Sequence, residues 1–113
     1  MTQNIKYQVQ ILSDLMDTIE LRSQQSADES YTAKLLAAGT EHCAKKFGEE
    51  AFEVALASLS SDKIHVVSEA GDVLYHLLVL LKSCDIELKD VMAELSKRTN
   101  QSGLQEKASR VKK

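Results

Sequence analysis

The sequence predicts an all-α protein, built as an antiparallel bundle of four to five helices. Its 113 residues include no proline, four glycines and five aromatic residues, three Tyr and two Phe. Sandwiches and barrels need more turn residues and more aromatic or β-branched strands than this composition offers. Apolar residues recur at helical spacing in several segments. The breaks between these segments are short, which favours antiparallel neighbours.

The first two predicted helices are separated by one polar loop. Residues 5–22 carry an amphipathic pattern, and residues 23–29 are polar and interpreted as a surface loop. Ser30 is a suitable N-cap for a short helix over residues 31–38, which Gly39 ends. The apolar positions of the first helix are Ile11, Leu12, Leu15, Met16 and Ile19.

Two long helices are predicted in the middle of the chain. Thr40 stands where an N-cap belongs for a helix over about residues 41–59. Ser60 and Ser61 interrupt the pattern, and Asp62 is a plausible N-cap for a second long helix that ends at about Ser83.

The last predicted helix covers residues 88–98, after a turn over residues 84–87. Val91, Met92 and Leu95 lie on one side of this helix. Residues 100–103 break the helical pattern, so the final part of the chain, from about residue 100 to residue 113, is interpreted as a tail of a single domain over residues 1–113.

The bulk properties predict a soluble protein of a reducing cytoplasm. A net charge of −3 gives no support for a nucleic-acid surface. The longest apolar run, residues 73–81, is too short to cross a bilayer, and the polar N-terminal residues lack a secretory apolar segment. Cys43 and Cys84 form no metal-binding spacing, and we expect both to be reduced core residues. We therefore expect neither a nucleic-acid nor a membrane partner.

Two acidic pairs, Glu50 with Glu53 and Glu69 with Asp72, are the main functional signal. Each pair has i, i+3 spacing, which places both carboxylates on one face of a helix. Two carboxylates about 5 Å apart repel each other by roughly 3 kcal/mol at an effective dielectric constant of about 20. If the two pairs face each other, they require a cation or raised pKa values.

The fourth predicted helix strengthens this interpretation. It is apolar nearly all round, which is typical of a helix buried on most sides. Its ionisable residues form one narrow stripe that comprises His65, Glu69, Asp72 and His76. Because ionisable groups are rarely buried without partners, this stripe is expected to face water, cationic groups or a metal. On the third helix, apolar residues flank the acidic arc on both sides, which predicts packing against two neighbours.

Carboxylates alone favour Mg²⁺, with Mn²⁺ as the other candidate. A di-iron bundle would need Glu-x-x-His pairs, and none is present. A zinc hydrolase would need His or Cys ligands at metal-binding spacing. Mg²⁺ held by carboxylates usually shares its coordination shell with phosphates, and the chain has no P-loop. Metal-assisted attack of water on a phosphoanhydride is the reaction class that fits.

Three segments resemble the phosphoribosyl-ATP pyrophosphohydrolase family, which belongs to the all-α, MazG-like nucleoside-triphosphate pyrophosphohydrolases. They are SYTAKLL at residues 30–36, AKKFGEEAFEV at 44–54 and EAGDVLYHLLVLL at 69–81. The acidic pairs alone indicate the superfamily, whereas the first and third segments indicate the phosphoribosyl-ATP enzyme. The chain departs from the family pattern at Thr40, where Pro is common, and at Gly71, where Ala is common. Neither position is a proposed ligand.

The resemblance implies Mg²⁺-dependent hydrolysis of phosphoribosyl-ATP to phosphoribosyl-AMP and pyrophosphate, the second step of histidine biosynthesis, by a homodimer. On this hypothesis Glu50, Glu53, Glu69 and Asp72 bind the metal. Glu49 lies on the same helical arc as Glu50 and is a candidate to orient or deprotonate the attacking water. Which of these carboxylates is the base stays open.

Two lysines are candidates to bind the substrate. Lys46, one turn before Glu50, is a candidate contact to the phosphates, and Lys34 is a second one, although a solvated lysine is an equally good interpretation of Lys34.

Two other functions stay open from the sequence. The nearer alternative is a house-cleaning pyrophosphohydrolase that acts on non-canonical nucleoside triphosphates with the same metal site. A helical interaction module without catalysis is the alternative from another class.

Overall fold

A computed structural model describes residues 2–99 of the chain, together with Lys107 and Arg110. Within these residues the protein contains five α-helices and no β-strand, which confirms the predicted all-α class. The helices are α1 (Thr2–Arg22), α2 (Tyr31–Ala37), α3 (Thr40–Ala57), α4 (Lys63–Ser83) and α5 (Leu88–Arg98). The predicted break at residues 100–103, and most of the predicted tail, lie outside the described residues.

The helix starts show which capping predictions are correct. The Ser30 hydroxyl accepts a hydrogen bond from the Ala33 N–H at 3.2 Å, and the Asp62 carboxylate accepts one from the His65 N–H at 3.1 Å. Both predicted N-caps are therefore confirmed. The prediction of Thr40 as N-cap is wrong, because Gly39 occupies that position with a φ of 99°. This left-handed conformation favours glycine, and the Thr40 hydroxyl instead donates to the Ser83 carbonyl at 3.2 Å.

The helices α3 and α4 form an antiparallel hairpin that makes the most extensive helix–helix contact in the described chain. Thr40, at the start of α3, is hydrogen-bonded to the last residue of α4. Glu50, in the middle of α3, lies beside Glu69 and Asp72. This register brings the two acidic pairs to the same level of the bundle.

A small core joins the first four helices. It consists of Ile19 from α1, Leu35 from α2, Cys43 from α3, and Leu78 and Val79 from α4. The Cys43 thiol donates a hydrogen bond to the Leu35 carbonyl at 3.3 Å, so the prediction of a packed, reduced Cys43 is confirmed. The prediction that Cys84 is a core residue is wrong, because Cys84 is exposed at the C-terminal end of α4.

The helix α4 is less buried in the single chain than its apolar sequence predicts. Its exposed apolar residues include Ile64, Val67 and Leu74, and on α3 Phe52, Leu56 and Leu59 are exposed as well. By length and composition α4 would be able to cross a membrane, contrary to the estimate from its shorter apolar run. However, α4 carries Glu69 and Asp72 and packs against α1, α2 and α3, as the central helix of a bundle does.

The contact between α2 and α4 includes a hydrogen bond between two hydroxyl groups. The Thr32 and Tyr75 oxygens are 2.6 Å apart, and Thr32 is 2 % exposed. We expect Tyr75→Phe to lower the free energy of unfolding by about 1–3 kcal/mol, because the Thr32 hydroxyl is left buried without a partner. Urea denaturation measures this loss. The double variant Thr32→Val/Tyr75→Phe should recover most of it, and equal losses in the single and double variants would contradict the assignment.

Candidate active site

Three of the four predicted metal ligands meet between α3 and α4. One carboxylate oxygen each from Glu50, Glu69 and Asp72 lies within 4.8 Å of the other two. Glu50 and Glu69 are half-buried, and Asp72 is exposed at the rim. The antiparallel register of the hairpin creates this cluster, because residues far apart in the chain reach the same level. We call these three residues the acidic cluster.

Glu53 lies at the edge of the acidic cluster rather than inside it. Its side chain is exposed and, together with Glu69, lines an open cavity of about 420 Å³. The other lining residues are Leu56, Ala57, Ser60 and His65. The negative charge of Glu53 nevertheless acts on Glu50 and contributes to the rise in the pKa of that carboxyl. The fourth predicted ligand is therefore adjacent to the site and faces solvent.

The pKa of the Glu50 carboxyl is raised above its ordinary value. Desolvation raises the pKa of this carboxyl, and the neighbouring charges of Glu53 and Asp72 raise it further. Lys46 acts in the opposite direction but does not cancel these effects. A carboxylate that is hard to ionise among other carboxylates would be stabilised by a cation.

Glu69 gives a second sign that the acidic cluster fits a cation. Its side chain is 17 % exposed, and its Oε1 lies 4.0 Å from His65 Nδ1. Its other oxygen, Oε2, is buried and accepts no hydrogen bond from the described residues. Leaving a buried carboxylate oxygen unpaired is costly. Hard oxygen donors without protein partners suit Mg²⁺ or Mn²⁺, so the residues present fit such an ion.

The charges of Lys46 and Glu49 act on residues in and around the acidic cluster. His76 is buried, and burial lowers its pKa, so the imidazole is neutral at pH 7. The charge of Lys46 lowers the pKa of His76 further, whereas Asp72 and Glu49 oppose this shift. The charge of Lys46 therefore acts on both Glu50 and His76, and Glu49 precedes Glu50 in the sequence. The prediction that the whole ionisable stripe of α4 faces water or a cation is wrong at His76, whose ring packs among aromatic rings.

The predicted substrate ligand Lys34 is not brought to the acidic cluster by any described contact. It is an exposed residue of α2. Within residues 2–99 its ammonium group makes no hydrogen bond or ion pair.

An open cleft of about 540 Å³ lies beside Tyr31 and Tyr75. The His76 ring is 6.3 Å from the Tyr31 ring and 5.1 Å from the Tyr75 ring, both measured between centroids. Both tyrosines line the cleft, which we call the tyrosine cleft. Its remaining lining residues are Arg22, Gln25, Glu29, Ser30 and Thr32. Sequence reasoning assigned no function to Arg22 or to the tyrosines, although Tyr31 and Tyr75 lie inside the segments that carry the family resemblance.

Comparisons with known proteins give the same family as the three sequence segments described above. Residues 12–99 match the family described as phosphoribosyl-ATP pyrophosphohydrolase. A protein of Bradyrhizobium diazoefficiens named phosphoribosyl-ATP pyrophosphatase 1 is 54 % identical over 99 residues, which cover 88 % of this chain and 93 % of that protein. Phosphoribosyl-ATP pyrophosphatases of Agrobacterium fabrum and Methylobacterium nodulans are 56 % and 57 % identical, each over 88 % of this chain and 92 % of the relative.

Proposed function

Because this chain belongs to the phosphoribosyl-ATP pyrophosphohydrolase family, its activity is the hydrolysis of phosphoribosyl-ATP in histidine biosynthesis, and we propose that the acidic cluster is the catalytic centre. The reaction adds water across the bond between the α and β phosphates and yields phosphoribosyl-AMP and pyrophosphate. Nearly the whole length of the related enzymes is covered, so their named activity applies to the domain described above.

The observation that carries the assignment of the catalytic centre is the convergence of three carboxylates with one buried, unpaired oxygen. Glu50, Glu69 and Asp72 would hold Mg²⁺, or Mn²⁺ in its place, and Glu53 would join them from the exposed edge. When bound, the ion supplies positive charge that offsets the charge developing on the pyrophosphate leaving group.

The remaining predicted residues have roles around this centre. Glu49 is exposed next to the acidic cluster, where its carboxylate orients the attacking water or accepts its proton. Lys46 is one turn before Glu50 on α3, its charge acts on both Glu50 and His76, and its ammonium group binds a phosphate oxygen of the substrate. Lys34 is a weaker candidate for the same task, because the structure shows it only as an exposed residue of α2.

The direct test is pyrophosphate release from phosphoribosyl-ATP, measured with Mg²⁺, with Mn²⁺ and after chelation of divalent ions. We expect turnover with either metal and its loss on chelation. The same assay with a panel of free and non-canonical nucleoside triphosphates tests the house-cleaning alternative. We expect phosphoribosyl-ATP to be turned over faster than any member of the panel. Metal-independent turnover, or faster turnover of the panel, would contradict the proposal.

We further propose that two copies of the chain form a homodimer through the exposed apolar side chains of α3 and α4. Phe52 is 66 %, Ile64 is 85 % and Val67 is 71 % exposed in the single chain. An apolar surface built from such residues is typical of a protein–protein contact. A second copy is the natural occupant, because a face shared by two helices can pair with itself across a two-fold axis. Because the protein is an enzyme of amino-acid biosynthesis, we propose that it is located in the cytoplasm.

A further inference from the structure

We propose that the tyrosine cleft binds the phosphorylated ribose at the end of the substrate remote from the triphosphate, with Arg22 as the ligand of its phosphate. This inference rests on the proposed function of the acidic cluster. Phosphoribosyl-ATP has two phosphorylated ends, which are joined through one adenine with a ribose on each side. The acidic cluster accounts for one end only.

The position of the tyrosine cleft matches such a substrate. Asp72 of the acidic cluster and Tyr75 of the cleft are three residues apart on α4, which corresponds to about 4.5 Å along the helix axis. His76 follows Tyr75 on α4, and its ring packs edge-on against the rings of Tyr31 and Tyr75. A ligand with its triphosphate at the acidic cluster can therefore extend along α4 toward the cleft.

The lining of the cleft suits a sugar phosphate. Arg22 is its only positively charged residue among the seven that line it. A guanidinium group binds phosphate oxygens through paired, charge-assisted hydrogen bonds. Arg22 and Tyr75 line the same cleft, and the charge of Arg22 opposes the rise that burial causes in the pKa of the Tyr75 phenol. Within the described residues, Arg22 forms no ion pair.

The other polar groups of the cleft are available for the ribose hydroxyls. Glu29 accepts a hydrogen bond from the Ser26 hydroxyl at 2.9 Å through one oxygen, which fixes its carboxylate at the rim. Carboxylates commonly bind ribose hydroxyls in nucleotide sites. Gln25 and the Tyr31 hydroxyl add neutral donors, while the hydrogen bond between Thr32 and Tyr75 holds the floor of the cleft in place. A volume of about 540 Å³ lies in the range of small-ligand sites, which is roughly 300–1,000 Å³.

The kinetic test uses Arg22→Gln with Lys97→Gln as its control, since Lys97 is an exposed cation on α5 outside both sites. We expect Arg22→Gln to lower kcat/KM for phosphoribosyl-ATP by about 10- to 100-fold, the loss typical of one hydrogen bond to a charged group. Arg22→Lys should restore part of it, and Lys97→Gln should lose nothing.

The substrate without its remote phosphate identifies the group that Arg22 contacts. Wild-type turnover of this dephosphorylated substrate should fall about as far as that of Arg22→Gln with the full substrate. The variant should then show no additional loss, because the two changes remove the same contact. If Arg22→Gln is harmless, or if it is equally harmful with both substrates, the proposal is wrong.

A binding measurement separates this inference from the proposed catalytic function. Ribose 5-phosphate is titrated without metal into ¹⁵N-labelled protein, with ribose as the control ligand. We expect ribose 5-phosphate to shift the amide resonances of Gln25, Tyr31 and Thr32 in the wild type, and to shift them far less in Arg22→Gln. If it moves none of them, the cleft is not the subsite, even when the acidic cluster is catalytic. If it moves them while Glu50→Gln and Asp72→Asn keep full hydrolysis of phosphoribosyl-ATP, the catalytic proposal fails alone.

Discussion

Replacing Asp72 by Asn or Glu50 by Gln is expected to reduce metal-dependent hydrolysis of phosphoribosyl-ATP by at least about 100-fold. Each change removes one negative charge from a group whose oxygens lie within 4.8 Å of one another. Loss of one group that stabilises the transition state through charge typically costs about 10²- to 10³-fold in rate. Steady-state release of pyrophosphate measures the effect. Glu41→Gln, on the exposed first turn of α3, is the matched control and should stay active.

Stability distinguishes a lost ligand from a damaged fold. In the wild type, an ion present at 100 times its Kd should stabilise the protein by about 2.7 kcal/mol. Glu50→Gln, Asp72→Asn and Glu69→Gln should lose this gain. They should unfold at or above the wild-type temperature without metal, because each change relieves repulsion in the acidic cluster. Full activity in a folded Asp72→Asn or Glu50→Gln variant would contradict the assignment of the metal ligands.

A charge placed on the exposed face of α4 is expected to separate the dimer into monomers. Val67 is two residues before Glu69, so the two side chains project about 200° apart around the helix axis. Val67→Asp should therefore leave the acidic cluster intact while burying a carboxylate in the proposed interface. An unpaired buried charge is strongly destabilising. Sedimentation equilibrium should show a dimer for the wild type and a monomer for this variant at micromolar concentration.

The control for the dimer prediction is Val9→Asp on α1, a residue that is 62 % exposed. It introduces the same charge at an exposed position of another helix, and the dimer should persist. Dissociation by Val9→Asp but not by Val67→Asp would place the interface on α1. If the wild type sediments as a monomer, the dimer proposal is wrong. The exposed apolar residues of α3 and α4 would then contact another partner.

The order and type of the helices were predictable from local sequence signals. Ser30 and Asp62 cap helices in the structure because an N-cap depends on atoms only three residues away. The one capping error, at Thr40, has a tertiary reason. The Thr40 hydroxyl is hydrogen-bonded to Ser83 on α4, and this contact between residues 43 positions apart has no local signature.

Burial was harder to predict than helix position. The apolar pattern of α4 predicted that it would be covered on most sides, whereas the single chain leaves Ile64, Val67 and Leu74 exposed. An apolar pattern in a sequence predicts that side chains are buried. It does not distinguish burial against the same chain from burial against another chain. The same ambiguity affected Cys84, which was predicted to be packed and is exposed.

The all-α class, the acidic pairs, the family and the activity could be predicted from the amino-acid sequence, because periodicity and short motifs are local properties. Which carboxylates converge could not be predicted in this way, because it depends on how the helices pack. The antiparallel register of α3 and α4 brings Glu50 to Glu69 and Asp72, and leaves Glu53 at the solvent edge. The tertiary structure also decided that Arg22 of α1 and Tyr75 of α4 line one cleft. Such pairings depend on how whole helices pack, and helix packing is fixed by many side chains at once rather than by any one segment.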